Sequence, residues 1–559
     1  MLQPAPNSAV QTAPTPAKAV DIHGLGEVRG FLAELLAQGR HDEVLEHVMA
    51  LLVKMSGASN DQQERIAALL KQLYGRRSEK LSPEQLDLFV KAAQAEAGEP
   101  VADSEPSPPP APAPSSAARP QSRPGRNPLP AHLPRIRDVR KVAPELRPCP
   151  LCGVERTCIG HETSEVLDFE PGRFVVHEIA REKLACRPCQ ETVVIAPPAA
   201  KLVDGGMCGP GLMAQVLVGK YQDHCPLYRQ HQIYLRSGVE LADSTLGSWV
   251  AAGAALLLPL AALVWKRALA SPVIGADDTG IRVLDRDHEA GVKRGHLWMY
   301  LGYDEAGKPR WPAMRYTADW SKKGPGEFLD GFEGVLQGDG YKGWVSLVLK
   351  ELLGVILAGC MAHARRKLKE AMDAGSMSAA LAVQIIQKLY VIEAKARDQD
   401  LAPAARQALR QAEAVPLMAE LRKWLDKHID QVRPKSKLGM AVTYLENQWA
   451  VLQVYLSDGR VPIDNNLVEN QMRPVGIGRK NFLFCGSDAG AERAAVVYTL
   501  LATCRIAGAE PWAYLRDVLP ELARRGPDAD VEDLLPHKWV ERRKLAAEQA
   551  AMAVVAAAA

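Results

Sequence analysis

The sequence predicts an α/β multidomain protein, on three observations. Two CxxC pairs, Cys149/Cys152 and Cys186/Cys189, stand 33 residues apart (153–185). From residue 271 the apolar pattern runs as three strands, a helix, a strand, a helix and a strand, then turns helical from Met361 to about Tyr455. Three carboxylates, Asp277, Asp339 and Glu469, fall where that order brings distant segments together.

A chain of 559 residues exceeds what one hydrophobic core supports, so several domains follow. The apolar fraction of 47% and the charged fraction of 24% are those of a globular protein. A net charge of +2 excludes a uniformly basic coat but leaves room for local basic stretches. No N-terminal stretch has the layout of an export signal. The longest apolar run, Val250 to Trp265, is short for a span and contains Pro259, so it reads as a buried helix and no membrane partner is expected. Ten cysteines, four of them in CxxC pairs, suit a reducing compartment and a metal site.

Residues 1–20 lack apolar periodicity and are expected to be disordered. Residues 21–98 form an N-terminal helical, zipper-like module, with Ile66, Leu69, Leu70 and Leu73 at i, i+3, i+4 and i+7. Its helices either pair between subunits or fold as a local hairpin, because a sustained heptad is absent. Residues 99–145 are a Pro-rich basic linker; Arg137, Arg140 and Lys141 lie in its most basic part and are candidate contacts to a nucleic-acid backbone.

Residues 146–200 read as a zinc ribbon, in which Cys149, Cys152, Cys186 and Cys189 close a tetrahedron of thiolates around structural Zn²⁺. FVVHEIA (174–180) alternates like one of its strands; Cys158, His161 and His177 are second choices as ligands. Cys208, Cys225, Cys485 and Cys504 lack metal spacing and read as buried thiols. Residues 201–268 are helical and helix-turn-helix-like: Gly238 ends one helix and Ser244 caps the next, a pattern that can contact DNA.

Residues 269–510 carry the acids. PVIGADDTGIRVL, GHLWMYLGYD and RWPAMRYT are strands, GEFLDGFEGVL a helix, and LQGDGYKGW a buried strand ending at Asp339. With GVILAG as a further strand, this order is that of the ribonuclease H fold, whose first and fourth strands are neighbours. Asp277 or Asp278 would then meet Asp339. PIDNNLVENQMRP supplies a helix capped by Asp464, Asn465 or Asn466 and carrying Glu469, reached across a helical insertion at about 361–455.

Carboxylates in such a set hold hard divalent cations, and a metal pair about 4 Å apart serves in-line phosphodiester cleavage without a protein nucleophile. Arg473, Arg479 and Lys480 follow Glu469 and are candidate DNA contacts, the last two on a Gly-containing loop, GIGRKN. Tyr341 and Trp344 are expected to pack beneath the site, with Lys342 a further phosphate candidate. Cys360 and His363 form a CxxH pair that either positions DNA or is a buried structural pair. Residues 511–559 are a C-terminal helical segment and an Ala-rich tail.

GRRSEKL, the CxxC ribbon, GADDTGIRVL, LQGDGYKGW, AGCMAHARRKL, the run from PIDNNLVENQMRP to VVYTLL, and PWAYLRDVLPEL together resemble the DDE transposases of insertion-sequence family 66, over roughly residues 65–525. The resemblance implies an RNase H-like catalytic domain, DNA transposition, and Asp277, Asp339 and Glu469 as catalytic acids holding Mg²⁺ (or Mn²⁺). Asp-x-Thr, completed by Thr279, favours Asp277 over Asp278. Binding of terminal inverted repeats, cleavage and strand transfer follow from the same resemblance. So do target DNA, a homo-oligomer that holds two ends, small accessory proteins of the same element, and a cytoplasmic, DNA-associated place in a bacterium. Two rivals share parts of the pattern: an RNase H-like nuclease that only cuts, and a catalytically inactive zinc-ribbon DNA-binding protein.

Overall fold

The computed structural model describes residues 201–203, 206–350 and 354–558, preceded by positions 34, 37, 40, 172, 174–177, 183–185 and 193–195. The segment 1–20, nearly all of the module 21–98, the linker with Arg137, Arg140 and Lys141, and the cysteines Cys149, Cys152, Cys186 and Cys189 lie outside the described residues.

Strands β1 (Lys183–Ala185) and β2 (Val193–Ile195) pair antiparallel, with Ala185 opposite Val193. The strand expected at 174–180 does not form over 174–177, where Val175 and Val176 are 60% and 96% exposed; residues 178–180 lie outside the described residues. Alternation needs a neighbouring edge to bond, and Phe174 instead packs edge-on against Tyr234 at 5.3 Å.

The described residues divide into two compact units. The first, 201–357 with 460–558, begins with helices α1 (Pro210–Tyr221), α2 (Leu227–Arg236) and α3 (Asp243–Leu269). Next come β3 (Val273–Leu284), β4 (Val292–Tyr303), β5 (Pro309–Thr317), α4 (Lys323–Phe328), β6 (Gly334–Gln337), α5 (Lys342–Lys350) and β7 (Val355–Ala358). In the second unit lie α6 (Met361–Asp373), α7 (Ser378–Asp398), α8 (Pro403–Leu409), α9 (Val415–Ile429) and α10 (Lys437–Leu452). The chain then returns to the first unit with α11 (Asn466–Phe482), α12 (Asp488–Ala507), α13 (Pro511–Arg525) and α14 (Pro536–Ala558). The Ala-rich tail thus continues a helix.

Gly238, at φ +78°, follows α2 as expected. Ser244 does not cap α3: the helix starts one residue earlier, with Ala242 at the N-cap and no side chain bonded there. Asp243 in the first turn supplies the favourable charge instead. The apolar run is a core helix, burying Trp249, Leu257, Leu260 and Val264 and packing on β5 and α12. Helix α3 is the one described helix long and apolar enough to cross a membrane. Residues 201–268 therefore share a core with the strands that follow.

The five-stranded sheet has the order β5-β4-β3-β6-β7. β3 runs antiparallel to β4, placing Asp277 opposite Met299 and Asp278 opposite Trp298. It runs parallel to β6, with Gly275 opposite Gln337. Side chains alternate across a strand, so the two aspartates face opposite sides. On the Asp278 side, Ile274, Ala276, Trp298 and Tyr300 form a core with Trp344 and Leu347 of α5. On the Asp277 side, α11 lies so close to β3 that a Cβ on Gly275 would come within 2.6 Å of Val468 Cγ2 and 2.9 Å of Asn465 Oδ1.

The second unit is helical throughout residues 361–456 apart from its connections. α6 packs against α7 and α10, and α9 against α7 and α10. A π-helical turn, Arg410–Ala414, joins α8 to α9. Pro416 offers no N–H to the carbonyl four residues back, which loosens the regular ladder there. Arg410 is fully buried; its Nε and Nη2 donate to the two carboxylate oxygens of Glu393 at 2.7 Å each, and its Nη1 donates to Tyr455 O and Asp458 O at 2.6 and 3.0 Å. Cys360 is buried at the N-cap of α6, with His363 half-buried in its first turn.

Candidate active site

Three elements of the first unit converge on Asp277. β3 carries it at mid-strand; the turn after β6 carries Asp339; α11 carries Glu469 in its first turn. All three side chains are half-buried. Two polar ties fix the arrangement. Asn465 Nδ2 donates to Ala276 O at 2.8 Å, which pins the start of α11 to β3 one residue from Asp277. Gln337 Nε2 donates to Pro462 O at 2.6 Å, which links β6 to the chain entering α11.

Of the three expected caps, Asn465 occupies the N-cap position without using its side chain to cap, while Asp464 Oδ1 accepts from Asn466 N at 3.1 Å. Asp339 Oδ1 accepts from the Tyr341 N–H at 3.1 Å, closing a tight turn. Gly338 is required beside it, because a Cβ there would lie 2.9 Å from the Trp344 ring.

Burial, then the charge of Asp339, and more weakly those of Glu469 and Asp278, push Asp277 up to about 7, against a hydrogen bond from the Asp278 backbone N–H. Carboxylates gathered in this way repel one another, and a divalent cation held among them would relieve that repulsion. Among the described residues no three His, Cys, Asp or Glu side chains stand close enough to enclose a metal ion. Mg²⁺ keeps several waters and needs only one or two carboxylates, so an open acidic cluster fits it where it would not fit a fully protein-caged ion.

Asp278 is differently engaged. Its Oδ2 pairs with His296 Nδ1 at 2.5 Å, and its Oδ1 accepts from Trp320 Nε1 at 3.2 Å. His296 stacks on Trp320, which stacks on Tyr341 at 5.1 Å. Trp344, 1% exposed, closes this wall edge-on against Trp298. Tyr341 and Trp344 thus underlie the site as expected. His296 and Trp320 were not anticipated; the alternation of β4, which places His296 two residues before Trp298, was the available signal.

Arg473, Arg479 and Lys480 are all exposed on α11. The expected Gly-containing loop is corrected: GIGRKN continues the helix to Phe482. Gly478 is there for closeness, since a Cβ would come within 2.5 Å of Phe482 Cζ and 3.1 Å of the Tyr498 hydroxyl. Arg479 Nη1 donates to Thr279 Oγ1 at 2.7 Å and Gly280 O at 2.8 Å, so part of its donor set is committed to β3. Lys342, at the start of α5, is exposed. Cys208 and Cys504 are buried thiols as expected, whereas Cys225 and Cys485 are only half-buried.

Comparison with known proteins gives four family matches along the chain. Residues 205–493 match the model described as "Transposase IS66 family", and 147–190 the "zinc-finger binding domain of transposase IS66". Residues 61–137 match "Transposase C of IS166 homeodomain", and 499–537 the "IS66 C-terminal element". The chain is similar to two uncharacterized proteins of Sinorhizobium fredii. It is 33% identical to y4jD over 514 residues, covering 89% of this chain and 98% of the relative. It is 32% identical to y4hP over 494 residues, covering 85% and 88%. With the principal match spanning more than half of the chain and placed over the strands and helices that bear Asp277, Asp339 and Glu469, this protein belongs to the IS66 transposase family.

Proposed function

We infer that the chain binds the terminal inverted repeats of an insertion sequence, hydrolyses the phosphodiester at each end, and joins the released 3′-hydroxyl to target DNA. The observation that carries this is the placement of three acids together, Asp277 on β3, Asp339 in the turn after β6 and Glu469 in the first turn of α11. The sheet order, with β3 between β4 and β6, supports an RNase H-like core. When bound, Mg²⁺ supplies activation of the attacking oxygen and stabilisation of the leaving one. Asp277, Asp339 and Glu469 would hold it. Asn465 and Gln337 keep their elements in register, and the His296–Trp320 pair holds Asp278 on the opposite face. Exposed Arg473 and Lys480 lie on the same helix as Glu469 and can meet the backbone of bound DNA. The test is joining of a labelled, pre-cleaved 3′ end to target DNA with Mg²⁺ present; cutting without joining would favour a plain nuclease, and binding with neither would favour an inactive DNA-binding protein.

Zinc in the ribbon is part of the same reading, with Cys149, Cys152, Cys186 and Cys189 as ligands and Arg137, Arg140 and Lys141 beside them on DNA. Purified protein is expected to carry one Zn²⁺ per chain, and Cys149→Ser to lose it; unchanged zinc content in the variant rules out this ligand set.

The pH dependence of metal binding follows from Asp277. Its carboxyl keeps a proton up to about pH 7 when folded and to about 3.8 ordinarily, so between these values the metal-free fold binds more protons than the unfolded chain. This group's contribution to stability therefore falls as pH rises through that window. Added Mg²⁺ must displace the proton below pH 7 and need not above it. The Tm increase produced by Mg²⁺ should thus be larger at pH 8 than at pH 6, with apparent affinity falling about tenfold per pH unit below 7. An Mg²⁺ shift independent of pH would contradict it.

A further inference from the structure

A cavity of about 360 Å³ opens beside the candidate active site, between α11, α12, the end of β3 and helix α1. Its wall has two chemistries. Lys220, Arg282, Arg479 and Arg493 bring four cations, and Phe482, Phe484 and Tyr498 bring rings. Among the described residues no carboxylate lines it. Asp488, next to the lining residue Ser487, is occupied by Lys293 at 2.7 Å and the Tyr316 hydroxyl at 2.5 Å.

The Lys220 ammonium lies 4.7 Å from the Phe482 ring centroid and 5.4 Å from that of Tyr221, held by aromatic faces in place of an acid. Burial lowers its pKa, against the opposing influence of Cys485. The Tyr498 hydroxyl, on a side chain only 4% exposed, has no hydrogen-bond partner among the described residues. A buried hydroxyl left unanswered costs stability unless something fills its place. Arg479 joins this wall to Thr279, two residues from Asp277. Cavity size lies within the roughly 300–1,000 Å³ typical of small-ligand sites.

Resting on the DNA-joining reading above, we propose that this cavity receives one unpaired nucleotide of the bound DNA, its base against Phe482 and Tyr498 and its phosphate among Lys220, Arg282 and Arg493. Base–ring contact tolerates any sequence, and the cations answer the backbone charge. The site thus holds the strand beside the acids in a fixed register.

The test uses the full-length protein and a short single-stranded oligonucleotide carrying one 2-aminopurine, read both by 2-aminopurine emission and by anisotropy. Wild-type protein should change the emission, and Asp339→Ala should do the same. Lys220→Gln with Arg493→Gln should weaken binding at least about tenfold. Phe482→Leu should bind with the emission change largely lost. No emission change with wild type, or wild-type behaviour in folded Phe482→Leu and Lys220→Gln/Arg493→Gln proteins, overturns the proposal. If wild-type protein joins no DNA yet the emission follows these variants, the functional reading fails and the nucleotide site stands. If joining persists in the cavity variants with emission unaltered, the site fails and the function stands.

Discussion

Asp277→Asn, Asp339→Asn and Glu469→Gln should each lower Mg²⁺-dependent end joining by about three orders of magnitude or more, the loss of several kcal/mol of charge stabilisation. Each substitution keeps the shape of the side chain and removes a charge. The metal-free proteins should be no less stable than wild type, because Asp277 is raised by burial and by its acidic neighbours and gains from losing either. Asp278→Asn is the informative contrast. Its carboxylate is bound by His296 and Trp320 on the other face, so the variant should lose some stability and retain joining. Joining assays and thermal melts on the four variants separate these outcomes. An active Asp277→Asn alongside a dead, folded Asp278→Asn would reverse the assignment of the first acid.

Arg410→Ala should destabilise the helical unit by about 3–5 kcal/mol. The guanidinium is fully buried and satisfies both oxygens of Glu393 and two backbone carbonyls, so truncation strands a carboxylate and two acceptors at once. Its position 5.0 Å from the Tyr455 ring adds packing that Ala cannot replace. Changing Arg410 and Glu393 together to Met and Leu should recover much of the loss, since a buried ion pair owes much of its apparent worth to the cost of breaking it. Chemical denaturation of the single and double variants measures this; equal stability for wild type and Arg410→Ala would show that water reaches the pair.

What could be read from the sequence was periodicity. Strand alternation around Asp277, the apolar run before Asp339 and the polar cluster before Glu469 carry the order of elements, and the observed sheet follows that order. What could not be read was set by neighbours distant in the chain. The glycines of GIGRKN look like loop residues alone, but both lie within α11, and position 478 is glycine because Phe482 and Tyr498 leave no room for a side chain. FVVH alternates like a strand but joins no edge among the described residues, and Ser244 is a good cap two positions too late. The choice between Asp277 and Asp278 turns on His296 and Trp320, which lie 18 and 42 residues further on and declare themselves only once β4 is paired.

The opposition of the two aspartates makes this site a matter of parity. A single residue inserted or deleted between Val273 and Asp277, with the pairing of β3 to β6 preserved, would turn Asp278's face into Asp277's and aim the wrong carboxylate at Asp339. Changes by two residues would keep the faces and move the acid only along the strand. Odd changes of length turn the acid to the other face and a change of two slides it by about 6–7 Å along the strand, so any chain that keeps an acid here must also keep the count.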